Sequence, residues 1–227
     1  MTMLFFAAIA FVGTHFLLSH PLRAPLVRVM GEPAFLGVYS AVAAAGLIWM
    51  IAAYRSAPLT ALMWEAGDGL WAIVTVLMLI ASVLFAGSLV GNPAFPKPGT
   101  SATAPGVAHG VYAVTRHPML WSFSIWGIAH ILVYPSARTF IVALAIVILS
   151  LVGAALQDRK KRRLQPDVWP RWERKTSFIP FAAIAAGRAR LGKFGPASII
   201  GGLIFWLAAT WAHIPLSGWR AGVWRWL

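Results

Sequence analysis

Six histidines carry most of the chemistry open to this 227-residue chain, which has no cysteine and only six Asp or Glu residues. That inventory excludes a thiolate zinc site, an Fe–S centre, a cysteine nucleophile and a disulfide scaffold. His15, His130 and His213 sit inside long apolar stretches, while His20, His109 and His117 sit beside or between them. An imidazole in hydrocarbon is costly without a partner, so each embedded one is either bonded to a neighbouring helix or functional. Depth separates the three. His15 and His130 each lie twelve residues into their stretches, which enter from opposite sides. At 1.5 Å per residue both are about 18 Å deep, and in a core of about 30 Å their heights differ by roughly 6 Å. His213 falls near the outer headgroups. By height, His15 and His130 are the pair that could hold one buried object.

Two imidazoles without a thiolate or an embedded carboxylate suit haem, because the porphyrin supplies four nitrogens and only axial ligands are needed. Zinc usually takes four protein or water ligands, and facial-triad iron needs a carboxylate at depth. Phe11 and Ser19 flank His15 at helical spacing, as Trp126 and Gly127 precede His130 on one helical face. The expected site is a flat cavity between the two histidines, lined by Phe11, Trp126 and Gly127, with Gly127 leaving room for a ring. His20 follows His15 closely enough to take the ligand role instead, and His20 with His117 forms a shallower alternative pair. A second constellation is Arg116-His117-Pro118, with Tyr112 before it and Trp121 after it. Proline suits a first helical position, a helix N-terminus favours an anion, and Arg116 can grip a carboxylate or phosphate in a bidentate way. A haem propionate, the carboxylate of S-adenosylmethionine and a lipid phosphate are the anions considered. The purely structural alternative is an Arg anchored at the membrane surface.

The elements that must position these residues are membrane helices. Hydrophobic residues make up 59% of the chain and charged ones 11%, against about 25% in a soluble domain. Six stretches are long enough to span, near 3–19, 34–54, 70–90, 118–134, 138–156 and 197–213, and none has an internal charge. The first lacks the basic n-region and small-residue cleavage site of a signal peptide, so it is read as a span. The fold expected is all-α, a polytopic bundle of six transmembrane helices in one domain. The net charge of +13 does not point to nucleic acid, because eleven of the 19 basic residues cluster from Arg159 to Lys193 beside apolar runs. Such residues meet anionic lipid heads and set orientation. Fifteen basic residues fall on one side, in the loops holding Arg23, Arg116 and Arg159. Only Arg55, Arg138, Arg220 and Arg225 fall on the other. The positive-inside rule then places both termini in the periplasm. The loop from 91 to 117, with Pro96-Lys97-Pro98-Gly99, is expected to be irregular. Residues 157–187 are expected to continue helix five as a charged helix and then lie in the interface. The tail interleaves Trp219, Trp224 and Trp226 with Arg220 and Arg225, as an aromatic belt would.

The order Thr14-His15, His20-Pro21-Leu22-Arg23, then Tyr112-x3-Arg116-His117-Pro118-Met119-Leu120-Trp121 ending at Trp126-x3-His130, resembles the NnrU family. That family was named for association with denitrification and nitric oxide metabolism. It is also similar to the plant 15-cis-ζ-carotene isomerases, membrane enzymes with haem b on histidine ligands. The resemblance implies a multi-pass protein of the bacterial inner membrane that binds haem b through His15 and His130, with Arg116 toward a propionate. It implies redox-switched cis–trans isomerisation of a polyene lipid if the protein is an enzyme, and a nitric oxide or redox sensor if it is not. Arg-His-Pro at a helix start, followed by Trp169, Trp172-Glu173 and Phe178-Ile179-Pro180, also resembles the isoprenylcysteine and phospholipid methyltransferases. Their paired Glu and Tyr-rich run are missing here, where Gln157-Asp158 stands. That likeness implies an S-adenosylmethionine-dependent methyl transfer to a lipid.

Overall fold

Long apolar runs, bounded by Gly and Pro, become long helices. A computed structural model describes residues 1–95 and 106–227. The helices are α1 (Thr2–Ser19), α2 (Arg23–Met30), α3 (Glu32–Ser56), α4 (Asp68–Ser88), α5 (Val111–Val114), α6 (Pro118–Val133), α7 (Ala137–Leu164), α8 (Trp169–Lys175), α9 (Ala182–Ala185) and α10 (Pro196–Ser217). Proline stands in the first turn of α3, α6, α8 and α10, where its missing N–H costs nothing. Ser136 caps α7 by accepting from the Thr139 N–H, and Lys161, Arg162 and Arg163 in the last turn oppose the helix dipole. The run Pro96-Lys97-Pro98-Gly99 lies outside the described residues.

Five helices, α1, α3, α4, α7 and α10, are long and apolar enough to cross a membrane. The stretch expected as a sixth span forms α6, which is apolar but only 16 residues long. At 1.5 Å per residue that is about 24 Å, short of a full hydrocarbon core. The charged residues after Leu156 continue α7 without a break to Leu164, and the Trp-rich segment behind them folds into α8. The stretch expected to lie in the interface contains a single short turn of helix, α9.

Neighbours follow the order α10, α4, α6, α7, α1, α3. Among the described residues α3 packs on α1, α2 and α7 and makes no substantial contact with α4, α6 or α10. The long helices therefore describe an arc with α3 and α10 at its ends. Glycines let the inner seams close. A Cβ on Gly202 of α10 would stand 2.7 Å from the Val83 Cα of α4, and one on Gly127 of α6 would stand 2.7 Å from Val147 of α7. Small residues at such seams are how membrane helices gain van der Waals contact where the hydrophobic effect offers none. Apolar packing divides between the two ends. Leu4, Ala7, Ala8 and Phe11 of α1 meet Met50 and Ala53 of α3 and Ala145 of α7. At the basic end Leu84, Val111, Tyr112, Trp169 and Trp172 make a second cluster. The tail is tied to α10 and α4: Trp224 donates to the Leu207 carbonyl at 3.2 Å, and Arg225 pairs with Asp68 at 3.0 Å over the Trp71 ring.

A candidate binding cavity and a buried ionic latch

The arc encloses a cavity of about 840 Å³, within the range of cofactor and ligand sites. All six long helices contribute to its wall, among them His15 of α1, Tyr39 of α3, Phe85 of α4, Trp126 of α6, Ser150 of α7 and Phe205 of α10. The His15 Nδ1 lies 2.6 Å from the Phe11 carbonyl. A carbonyl only accepts, so the proton sits on Nδ1 and the Nε2 lone pair is left over. The ring is held edge-on against Phe11 at 4.5 Å and Tyr39 at 5.6 Å. Ser19 donates to the Tyr39 hydroxyl at 3.3 Å.

At the basic end the cavity wall changes character, with His20, Arg23, Glu32, Gln157 and Lys160. Arg23 pairs with Glu32 at 2.6 Å and lies over the Phe35 ring. Burial lowers the pKa of His20 from its ordinary value, and the positive charges of Lys160 and Arg163 push it the same way. The neutral imidazole thus sits among cations that outnumber the single nearby carboxylate, and this end favours an anion.

Arg116 and His117 do not line that cavity. They form a latch with the last turns of α7 and the segment that follows it. The Arg116 Nε donates to both Asp158 oxygens at 3.0 and 2.9 Å, and its Nη2 to Oδ2 at 2.6 Å. His117 Nε2 lies 2.9 Å from Asp158 Oδ1, and Trp169 donates its indole N–H to the same oxygen at 3.1 Å. The backbone N–H of Arg116 donates to the Ser177 carbonyl at 2.9 Å, while Trp121 donates to the Phe178 carbonyl at 2.8 Å. Glu173 stands 3.8 Å from Arg116 and is gripped by Arg162. Arg116 was expected at the surface with a guanidinium ready for an outside anion. It is only 9% exposed, and an internal carboxylate fills its fork. The nearby Tyr112 hydroxyl donates to the Val90 carbonyl at 3.1 Å, and burial raises its pKa.

The structure thus brings Phe11, His15 and Trp126 together on one cavity, with His20 at its end. Arg116, His117, Gly127 and His130 lie outside its lining. Gly127, expected to admit a ring, instead admits the α7 backbone, with Ala143 O 2.9 Å from where a Cβ would be. His130 donates from Nδ1 to the Trp126 carbonyl at 2.8 Å and packs on the Trp126 ring at 4.2 Å. Its other ring neighbour is His213 of α10, at 6.1 Å. Among the described residues no three His, Asp or Glu side chains gather as a metal-binding group. Sequence reasoning missed Asp158, Tyr39, Arg23 and Lys160. Asp158 had a signal: it is the single acid in the run Gln157-Asp158-Arg159-Lys160-Lys161-Arg162-Arg163.

The family described as NnrU protein matches residues 3–221. Two curated relatives match part of the chain, both described as chloroplastic 15-cis-zeta-carotene isomerases. That of Zea mays is 31% identical over 84 residues, covering 37% of this chain and 23% of the relative. That of Arabidopsis thaliana is 32% identical over 79 residues, covering 35% and 22%. The aligned segments span less than a quarter of each relative's length. No solved structure matches.

Proposed function

This chain belongs to the NnrU protein family, and from that premise we propose that it is a membrane haem-b protein acting as a redox-switched polyene isomerase. The observation that carries the proposal is His15 on the wall of the 840 Å³ cavity, its Nδ1 held by the Phe11 carbonyl and its Nε2 left for a ligand bond. A metal-ligating histidine almost always has its other ring nitrogen fixed in this way. Haem b held there by His15 would supply redox chemistry tuned by that ligand and by the burial of the site.

The chain's own groups divide the remaining tasks. Phe11 and Tyr39 fix the His15 ring against rotation. Phe85, Trp126 and Phe205 give apolar walls that exclude water from a polyene. Lys160, beside the Arg23–Glu32 pair, would meet a propionate in place of Arg116, whose guanidinium Asp158 already holds. His130 would join His15 in holding the group only if its ring left His213 and reached the cavity, whose lining it is not part of. A haem held by His15 alone would equally suit a nitric oxide or redox sensor. A lipid-soluble substrate reaches the cavity through the side of the arc between α3 and α10. The protein resides in the bacterial inner membrane with both termini periplasmic, α6 completing six crossings. Reporters fused at the two ends should therefore report the same side.

An absorption spectrum of the detergent-purified protein tests the reading. A Soret band is expected, absent in His15→Ala and retained in His130→Ala. Conversion of a cis-polyene under reducing conditions then separates enzyme from sensor. Colourless protein from haem-replete cells, with measurable S-adenosylmethionine binding, would overturn both in favour of a lipid methyltransferase.

A further inference from the structure

We propose that the substrate of the 840 Å³ cavity is a long apolar chain ending in a carboxylate, with that head received by Lys160. The proposal rests on the reading of this cavity as a substrate site, and names the substrate class. Polarity is segregated along the wall. On α7 the lining runs through Ile146, Leu149, Gly153, Gln157 and Lys160, apolar at first and polar at the basic end. From Ile146 to Lys160 the helix rises about 21 Å at 1.5 Å per residue. Met78, Phe85, Phe123 and Phe205 extend the apolar part. Ser82 and Ser122 of the lining return their hydroxyls to carbonyls of their own helices, at 2.8 and 2.6 Å. Every charged residue of the lining, Arg23, Glu32, Lys160 and Lys161, belongs to the basic end.

The charge balance at that end selects the head. Arg23 is matched by Glu32 at 2.6 Å, and Lys161 donates to the Pro93 carbonyl at 3.4 Å and lies over the Trp169 ring. Lys160 is half-buried on the cavity wall, and among the described residues its ammonium has neither a hydrogen bond nor an ion pair. The side chains of His20, Gln157 and Gln165, at the same end, likewise have no hydrogen-bond partner among them. A half-buried cation without a counter-ion is costly, and a carboxylate offsets that cost. One unmatched ammonium suits a single negative charge, which a carboxylate carries, whereas a phosphate monoester brings about 1.5 to 2. A porphyrin propionate offers Lys160 the same group as a fatty carboxylate, so the two are rivals for this end and the test tells them apart.

Native mass spectrometry of the protein released from detergent, titrated with cis-parinaric acid, a tetraene fatty acid, tests the site. One molecule per chain is expected, with the methyl ester bound at least tenfold more weakly. Lys160→Gln should weaken the acid at least tenfold and leave the ester unchanged, while Lys160→Arg, which keeps the charge, should stay within threefold of the parent. Arg190→Gln, which removes an exposed cation of the same basic segment, should change nothing. Palmitic acid should displace the probe, and propionic acid, a head without a chain, should not. Helical circular dichroism confirms that each variant folds. Equal affinity for acid and ester, affinity within twofold of the parent in Lys160→Gln, tighter binding of dodecyl phosphate than of dodecanoic acid, or displacement by haemin but not by palmitic acid would overturn the proposal. The Soret band is read on the same samples. Colourless protein that still prefers acid to ester loses the haem reading alone, and coloured protein without that preference loses this proposal alone.

Discussion

The cavity and the latch each hold a histidine with one nitrogen bonded, yet they spend their polar groups in opposite ways. In the latch, Arg116, His117 and Trp169 all turn on the carboxylate of Asp158, and that acid's oxygens are saturated within the protein. In the cavity, His15 is anchored to its own helix through one atom and leaves the other over. Around Asp158 this reciprocity makes structure, with only the Nδ1 of His117 buried without a partner, whereas at His15 a leftover lone pair opening on a roomy chamber makes a site. Buried ionic groups are costly to bring out of water, and only full pairing makes them tolerable.

The comparison breaks first at Asp158. Asp158→Ala leaves a buried guanidinium without its carboxylate, and a loss of about 3–5 kcal/mol is expected. Denaturant titration in detergent measures it. Arg116→Met combined with Asp158→Leu should restore much of that loss, because the orphan charge goes with its partner. A latch that exists to bind an outside anion would show no such rescue. Trp169→Phe keeps the ring and removes one donor to a charged acceptor, so about 1.5–3 kcal/mol is expected from the same titration.

On the cavity side the stability cost should be smaller and the functional cost larger. His15→Ala removes no ion pair, and a change in unfolding free energy below about 1 kcal/mol is expected, alongside complete loss of the Soret band. A large drop in stability with the band intact would turn the two regions around. The smallest effect belongs to His20. Its pKa is lowered in the folded state by burial, then by Lys160 and Arg163. Above the ordinary histidine pKa of about 6.5 it contributes nothing. As pH falls below that value the unfolded chain takes up the proton more readily, and stability falls. Unfolding at pH 8 and pH 5 should show this difference, reduced in His20→Gln.

The sequence made the spans legible because charge is absent from runs such as Leu70–Val90, and lipid admits no other backbone solution than helix or closed barrel. Phe11, His15 and Trp126, singled out from the sequence, do line one cavity. Direction around the bundle was not legible. A residue count gives depth along a helix but not which neighbour that helix faces. The order α10, α4, α6, α7, α1, α3 separates α6 from α1 by α7, and His130 turns to His213 instead. The latch was hidden for a different reason. Arg116 and Asp158 are 42 residues apart, and an acid inside a basic run reads as part of a solvated helix end. No local pattern records a pairing made across a hairpin of two membrane helices.

That spacing has a consequence for how the chain is made. Arg116 leaves the ribosome before α6, and its carboxylate follows only near the end of α7. Until α6 and α7 have folded back on one another, Asp158 cannot reach Arg116. Closure of the ion pair is therefore open only to a chain whose central α6–α7 hairpin has formed. A stalled intermediate displays an unmatched arginine and the aromatic residues of α8, the kind of exposed surface that membrane proteases and chaperones can recognise.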